Sequence, residues 1–178
     1  MGSLLFSPSG RVGPADFMKG YTILIVIGLI INLLFAFAPM LALLSFPILI
    51  VLLWCSIALW IKRYHDAGKS GWMCLIPIIV GMVAGFVLSL ILTPMFVDAD
   101  AALAATEAAE AAAAEGDIGG AMSAAMGASG MTQMGMIISA VASAVLSYVI
   151  AMVFNGMIKH EDHDNRFGPE TSTADTFS

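Results

Sequence analysis

Four long apolar runs, separated by short polar segments, dominate the chain and predict most of its architecture. The runs cover residues 18–38, 40–61, 71–97 and 131–158. Each meets the requirement of about 20 residues to cross about 30 Å of hydrocarbon at about 1.5 Å per residue. Apart from Lys19 at the start of the first, none contains an Asp, Glu, Lys or Arg. That absence is expected of membrane spans, because a single Lys or Arg at mid-helix costs about 2.5–3.5 kcal/mol to insert. The first two runs meet at Ala38-Pro39, which predicts a tight hairpin, since proline disfavours helical geometry in the residue before it. Pro47 and Pro77 fall inside the second and third runs and are expected to kink them or to mark less regular turns.

Residues 98–130 break the pattern. The stretch DADAALAATEAAEAAAAEGD is rich in alanine, a strong helix former, and predicts a helix over 98–115 capped by Asp98 or Asp100. The third span can continue into it beyond a bend at Pro94. Gly116, Gly119 and Gly120 then lead into a Gly/Ser/Ala/Met stretch that reads as a flexible connector over 116–130.

Composition fixes the solvent. The chain is 60% hydrophobic and 11% charged, with mean hydropathy +0.94, against about 25% charged residues in an ordinary soluble domain. The net charge is -6, but its placement matters more than its size. Arg11 and Lys19 precede the first span, Lys62, Arg63 and Lys69 lie between the second and third, and Lys159 and Arg166 follow the fourth. All seven cations fall on one side, which the positive-inside rule assigns to the cytoplasm. The other side receives the hairpin and a segment with six acids and no base.

The expectation is therefore a single all-α membrane domain with four transmembrane helices and both termini cytoplasmic. Residues 1–17 form a cytoplasmic N-terminal segment, 98–130 an Ala-rich periplasmic helical insertion between the third and fourth spans, and 159–178 a cytoplasmic tail. Ala36-Phe37-Ala38 has the form of a signal-peptidase site, but the preceding run exceeds the about 7–15 residues of a signal core, so the uncleaved reading is preferred. Cys55 and Cys74 lie in or beside apolar runs and suggest no disulfide framework. With no basic patch to neutralise phosphates, nucleic acid is not an expected partner.

Small residues suggest how the spans pack. Gly135, Ser139, Ser143, Ser147 and Ala151 recur every four residues in the fourth span, and Gly81, Gly85 and Ser89 do so in the third. Such ridges let backbones approach closely in lipid, so the two are expected to face each other or a second copy of the chain. Asn32, with Gly28 and Ala36 on a weaker ridge, is expected to make an interhelical hydrogen bond worth about 1 kcal/mol.

The segment IKRYHDAGKSGW, residues 61–72, concentrates the polar chemistry. It is no phosphate loop: GxxxxGK[ST] requires glycine where Arg63 stands and a preceding buried strand. A zinc site recruiting His65, His160 and His163 matches no established spacing, and a solvated tail is the preferred reading of KHEDHDN. Ser70 and His65 lack the context of a nucleophile elbow. Met122, Met126, Met131, Met134 and Met136 offer soft ligands for copper, but methionine serves more often as apolar filler. No catalytic residues, metal or cofactor are expected. What the segment offers is an inter-helix turn, with Gly68 and Gly71 to reverse the chain, Asp66 to cap or salt-bridge, and Trp72 to anchor the next helix at the interface.

RYHDAGKSGW nevertheless resembles the RRxHDxGKSGWW motif of the bacterial domain of unknown function 805 family of small inner-membrane proteins. FSPSGRVGPADF resembles the family's GRIxRxxF-type start, and DNRFGP resembles its closing NRYGP. The family pattern covers most of the chain. Tyr64 departs from the usual aliphatic residue, Met73 from the second Trp and Pro14 from a frequent basic residue, and the acidic insertion is peculiar to this sequence. The resemblance implies a helical protein of the bacterial inner membrane and no particular reaction.

Topology and resemblance together gather Arg11, Asp16, Arg63, His65, Asp66, Lys69, Asn165 and Arg166 into one polar cap over the helix ends. In that cap Asp66 is expected to pair with Arg11 or Arg166; the preferred reading is a folding latch that pins the termini to the central loop, the other being that Arg63 and Lys69 hold lipid phosphate. Two function classes follow. The preferred one is a non-catalytic structural or accessory component that packs with itself or with a larger membrane complex and contacts membrane lipids. The other is a small-molecule transporter or ligand-binding membrane protein.

Overall fold

The computed structural model describes residues 5–37, 45–127 and 130–171. The longer α-helices among the described residues are, in order, α1 Pro14–Phe37, α2 Ser45–Asp66, α3 Leu75–Phe96, α4 Ala99–Ala114, α5 Ile118–Gly127 and α6 Gln133–Met157, with a 3-10 turn Gly71–Cys74 leading into α3. There is no strand among the described residues, only isolated antiparallel bridges at Val97–Met131 and Asn165–Gly168. Four segments are long and apolar enough to cross a membrane: Pro14–Phe37, Pro47–Asp66, Gly71–Phe96 and Gln133–Met157. The hairpin expected at Ala38-Pro39 lies outside the described residues.

The prolines fall where helices tolerate them. Pro14 opens α1, and Pro47 and Pro77 each occupy the third position of their helices, Pro77 just after the 3-10 turn, the kind of less regular turn expected there. In a first turn the missing N–H has no intrahelical acceptor to lose. Pro94 is the one inside a helix, in the last turn of α3, and α3 ends soon after, at Phe96.

Helix α1 packs against α2 and α6, and α3 packs against α6. At one end of the bundle Gln133 Nε2 donates to the Ala36 carbonyl at 3.3 Å, joining the end of α1 to the start of α6. At the opposite end an aromatic cluster forms the core: Trp60 lies 4.5 Å from Phe17, 5.6 Å from Tyr21 and 6.3 Å from Phe154, centroid to centroid. Leu59, Cys55 and Ala151 are buried beside it. Along the spans the burial thins out, and Val83, Phe86, Leu90 and Ile91 on α3 are all more than half exposed. So much apolar surface suits a hydrocarbon solvent.

The acidic insertion is stapled at its base. Asp98 N donates to the Gly130 carbonyl at 2.8 Å and Thr132 N to the Phe96 carbonyl at 2.9 Å. Asp98 caps α4 by accepting from Asp100 N and Ala101 N. The expected flexible connector over 116–130 is instead largely helical, as α5, which folds back on α4. Alanine and methionine in GGAMSAAM favour helix strongly enough to outweigh two glycines when a neighbouring helix is there to pack against.

The small-residue ridges meet only in part. A Cβ on Gly135 would lie 2.4 Å from Phe96 Cβ, so α6 and α3 touch there, backbone to side chain. Gly81 and Gly85 have nothing within 4 Å of such a Cβ. They line an open groove of about 270 Å³ with Ser143 and Ser147. Ser89 points its hydroxyl to Thr93, 3.4 Å away on its own helix. Ser139 Oγ is buried without a hydrogen-bond partner. Among the described residues Asn32 makes no interhelical bond through its amide nitrogen; Nδ2 donates to the Gly28 carbonyl of its own helix at 2.8 Å. An amide that can satisfy itself one turn back needs no neighbour.

Candidate functional site

Helix α2 does not stop where its apolar run stops. It continues through Lys62, Arg63 and Tyr64 to Asp66, and these polar residues are buried rather than solvated. Burial of ionised groups is tolerated only where charge and hydrogen bonds are matched. Asp66, wholly inaccessible, is the point where they are matched.

Both Asp66 carboxylate oxygens are saturated. Oδ1 lies 3.3 Å from Arg11 Nε and accepts from Thr171 Oγ1 at 2.8 Å. Oδ2 accepts from Arg63 Nη1 at 2.9 Å and lies 2.7 Å from His160 Nδ1. One carboxylate thereby collects donors from the N-terminal segment, the last turn of α2 and two points of the C-terminal segment.

Each arginine then uses its planar fork on backbone carbonyls. Arg11 donates through Nη2 to Glu161 O at 2.6 Å and Asp66 O at 3.2 Å, and through Nη1 to His163 O at 2.7 Å and, more weakly, to Gly168 O at 3.4 Å. Arg63 donates through Nε to Asn155 Oδ1 at 2.6 Å and through Nη2 to Asn155 O and to Ile158 O. Asn155 in turn donates to Pro14 O at 3.1 Å, closing the circuit from α6 to the start of α1. Lysine has no such fork, which is why arginine fits both positions.

The C-terminal motif makes a tight turn. Asn165 and Gly168 exchange backbone hydrogen bonds at 3.1 and 3.0 Å. The Asn165 side chain donates to His65 O at 3.0 Å and to Glu161 Oε2 at 2.8 Å, and accepts from Phe167 N at 2.9 Å. That turn lays Phe167 flat on His65, 3.8 Å between ring centroids with 4° between planes. Gly68 makes the central turn with φ +66, and a Cβ there would meet Glu161 Oε1 at 2.4 Å.

Of the cap expected from sequence, Arg11, Arg63, Asp66 and Asn165 thus lie in one bonded cluster, with His65 stacked at its edge. Of the two partners expected for Asp66, Arg11 reaches it; the Arg166 guanidinium sits instead over the Phe167 ring, 4.6 Å from its centroid. Asp16 is ion-paired with Lys19 at 3.5 Å, one turn into α1. Lys69 is exposed. Arg63 fits the latch reading and not the lipid-phosphate alternative: it is 1% exposed, and the bonds above turn it into the protein. Three members were missed. Asn155 and Thr171 belong to no motif that stands out, although a lone amide just inside the end of a span, as Asn155 is, is a usable signal, and His160 reads from sequence as part of the solvated tail KHEDHDN rather than as a partner of Asp66.

Two features lie beside the cluster. His160, Asp162 and Glu170 bring one potential metal-ligand atom each within 4.8 Å of one another, both carboxylates being exposed. His65 is not among them. A pocket of about 680 Å³ opens between the end of α2, the 3-10 turn and the C-terminal segment, lined by Ile57, Ile61, Leu75, Ser70, Phe167 and Arg166, among others.

Four apolar spans, closed at one end by a buried ionic seal, define a multi-pass helical membrane protein. The chain belongs to the family described as protein of unknown function (DUF805), whose model matches residues 5–169 and so takes in the members of the seal other than Thr171. No curated protein and no solved structure matches the chain.

Proposed function

We propose that this chain is a non-catalytic, structural or accessory protein of the bacterial inner membrane, assembled with itself or with a larger membrane complex, with its sealed end at the cytoplasmic headgroup layer. The observation that carries the reading is the saturation of Asp66: four donors occupy its two oxygens, and the arginines beside it are spent on backbone carbonyls. A carboxylate so bound is poorly suited to move protons or attack a substrate, and well suited to fasten chain segments. The orientation is supported by the placement of the cations: Arg11 precedes α1, Lys69 lies between α2 and α3, Lys159 and Arg166 follow α6, and Lys19, Lys62 and Arg63 sit within two turns of those same helix ends. Assembly is supported by the unfilled ridge of Gly81 and Gly85 and by the bare apolar face of α3.

Native mass spectrometry of the extracted protein tests assembly. A stable oligomer or complex that Gly81→Leu and Gly85→Leu dissociate is the expected result; a monomer with no partner contradicts it. For orientation, cysteines introduced at Lys69 and Glu107 are expected to react from the cytoplasmic and periplasmic sides respectively. The ligand-binding alternative draws support from a groove of about 340 Å³ within the spans, lined in part by Asn32, Ser143 and Ser147.

A further inference from the structure

We infer that the 680 Å³ pocket beside the seal holds one glycerophospholipid, its phosphodiester against Arg166 and Ser70 and an acyl chain along Ile57, Ile61 and Leu75. The inference rests on the reading that this end of the bundle lies at the headgroup layer, and it moves the lipid contact away from Arg63.

Charge selects the headgroup. Among the described residues, Arg166 is the one cation of fixed charge lining the pocket, and no carboxylate lines it. Arg11 and Arg63 are ion-paired to Asp66, whereas Arg166 makes no ion pair among the described residues. Its guanidinium is held in place by an aromatic support: it lies 4.6 Å from the centroid of Phe167, which is itself stacked on His65. A planar, pre-positioned guanidinium recognises phosphate oxygens through paired hydrogen bonds. The Ser70 hydroxyl, also in the lining, supplies a second donor.

Shape selects the tail. The remaining wall is chiefly aliphatic, and the pocket volume falls in the ordinary range of about 300–1,000 Å³ for small-molecule sites. Trp72 and Leu75 line it and are 80% and 44% exposed, so an apolar path leads out from the polar rim. A tryptophan exposed at the start of a span is the residue type that sits at the headgroup level. A soluble phosphate would satisfy Arg166 but leave that aliphatic wall uncovered. A lipid satisfies both.

The test is native mass spectrometry of the full chain released from vesicles of phosphatidylglycerol and phosphatidylethanolamine. One phospholipid per chain is expected to survive release. Arg166→Gln is expected to lower the lipid-bound fraction by about tenfold, the scale of one charge-assisted hydrogen bond. Leu75→Trp, which fills the mouth without changing charge or touching the Asp66 cluster, is expected to lower it as well, while Lys159→Gln leaves it unchanged. Wild-type protein without lipid, or lipid retained equally in Arg166→Gln and Leu75→Trp, overturns the inference. So does retention of inorganic phosphate alone, or of a peptide in place of lipid. Lys69 labelling from the cytoplasmic side alongside a lipid-free pocket would sink this inference and leave the orientation standing; labelling from the periplasm would sink the orientation itself.

Discussion

Arg11 and Asp66 stand 55 positions apart in sequence, yet their side chains meet at 3.3 Å with both nearly inaccessible to solvent. Around that contact the N-terminal segment, the loop between the second and third spans and the C-terminal segment are tied into one structure. The seal is thus a property of the whole chain, since no two of these segments are adjacent in sequence.

Replacing Asp66 by Asn removes the counter-charge of Arg11 and Arg63 while keeping the shape. Breaking a buried ion pair from one side costs about 3–5 kcal/mol. Unfolding of detergent-solubilised Asp66→Asn by sodium dodecyl sulfate should show a loss of that order, while Lys69→Ala at an exposed position should stay within about 0.5 kcal/mol of wild type.

Gly68 is required by its backbone and by its neighbour. At φ +66 an L-residue costs about 1–2 kcal/mol. Its Cβ would also press on the Glu161 carboxylate. Gly68→Ala should therefore lose more stability than Gly116→Ala, which has φ +78 but open space around it. The same unfolding titration separates the two.

Two amides near the membrane invite comparison. Asn155 bonds Arg63 and Pro14 O, so Asn155→Leu leaves buried partners unsatisfied, at a cost of about 1–3 kcal/mol. Among the described residues Asn32 Nδ2 bonds only its own helix, and the residue is exposed. Asn32→Leu should change stability by no more than about 0.5 kcal/mol.

Gly135 and Gly81 belong to similar ridges but differ in their surroundings. Gly135→Ala forces α6 away from Phe96 and should cost about 1–3 kcal/mol. Gly81→Ala meets open space and should leave the stability of the single chain within about 0.5 kcal/mol of wild type.

Much of this architecture was legible in the sequence. The four spans, the Asp98 cap and the helix that follows it come directly from apolar run length and alanine content. What hydropathy could not show was where α2 ends, because buried partners let Lys62, Arg63 and Asp66 remain helical beyond the apolar run. Small-residue spacing marked both ridges, but spacing carries no information on how far two helices diverge, and Gly81 faces a groove where Gly135 faces Phe96. Motif residues led to Arg11, Arg63, Asp66 and Asn165. The rest of the network, Asn155, His160 and Thr171, lies outside the three motifs, and its members are tied to Arg63 and Asp66 only once the fold brings them together.

A double-mutant cycle on Arg11→Met and Asp66→Asn, read as unfolding free energy in detergent, tests the seal most directly. A coupling energy above about 1.5 kcal/mol is expected if the two termini are fastened through this pair. Effects that add to within about 0.5 kcal/mol would contradict it.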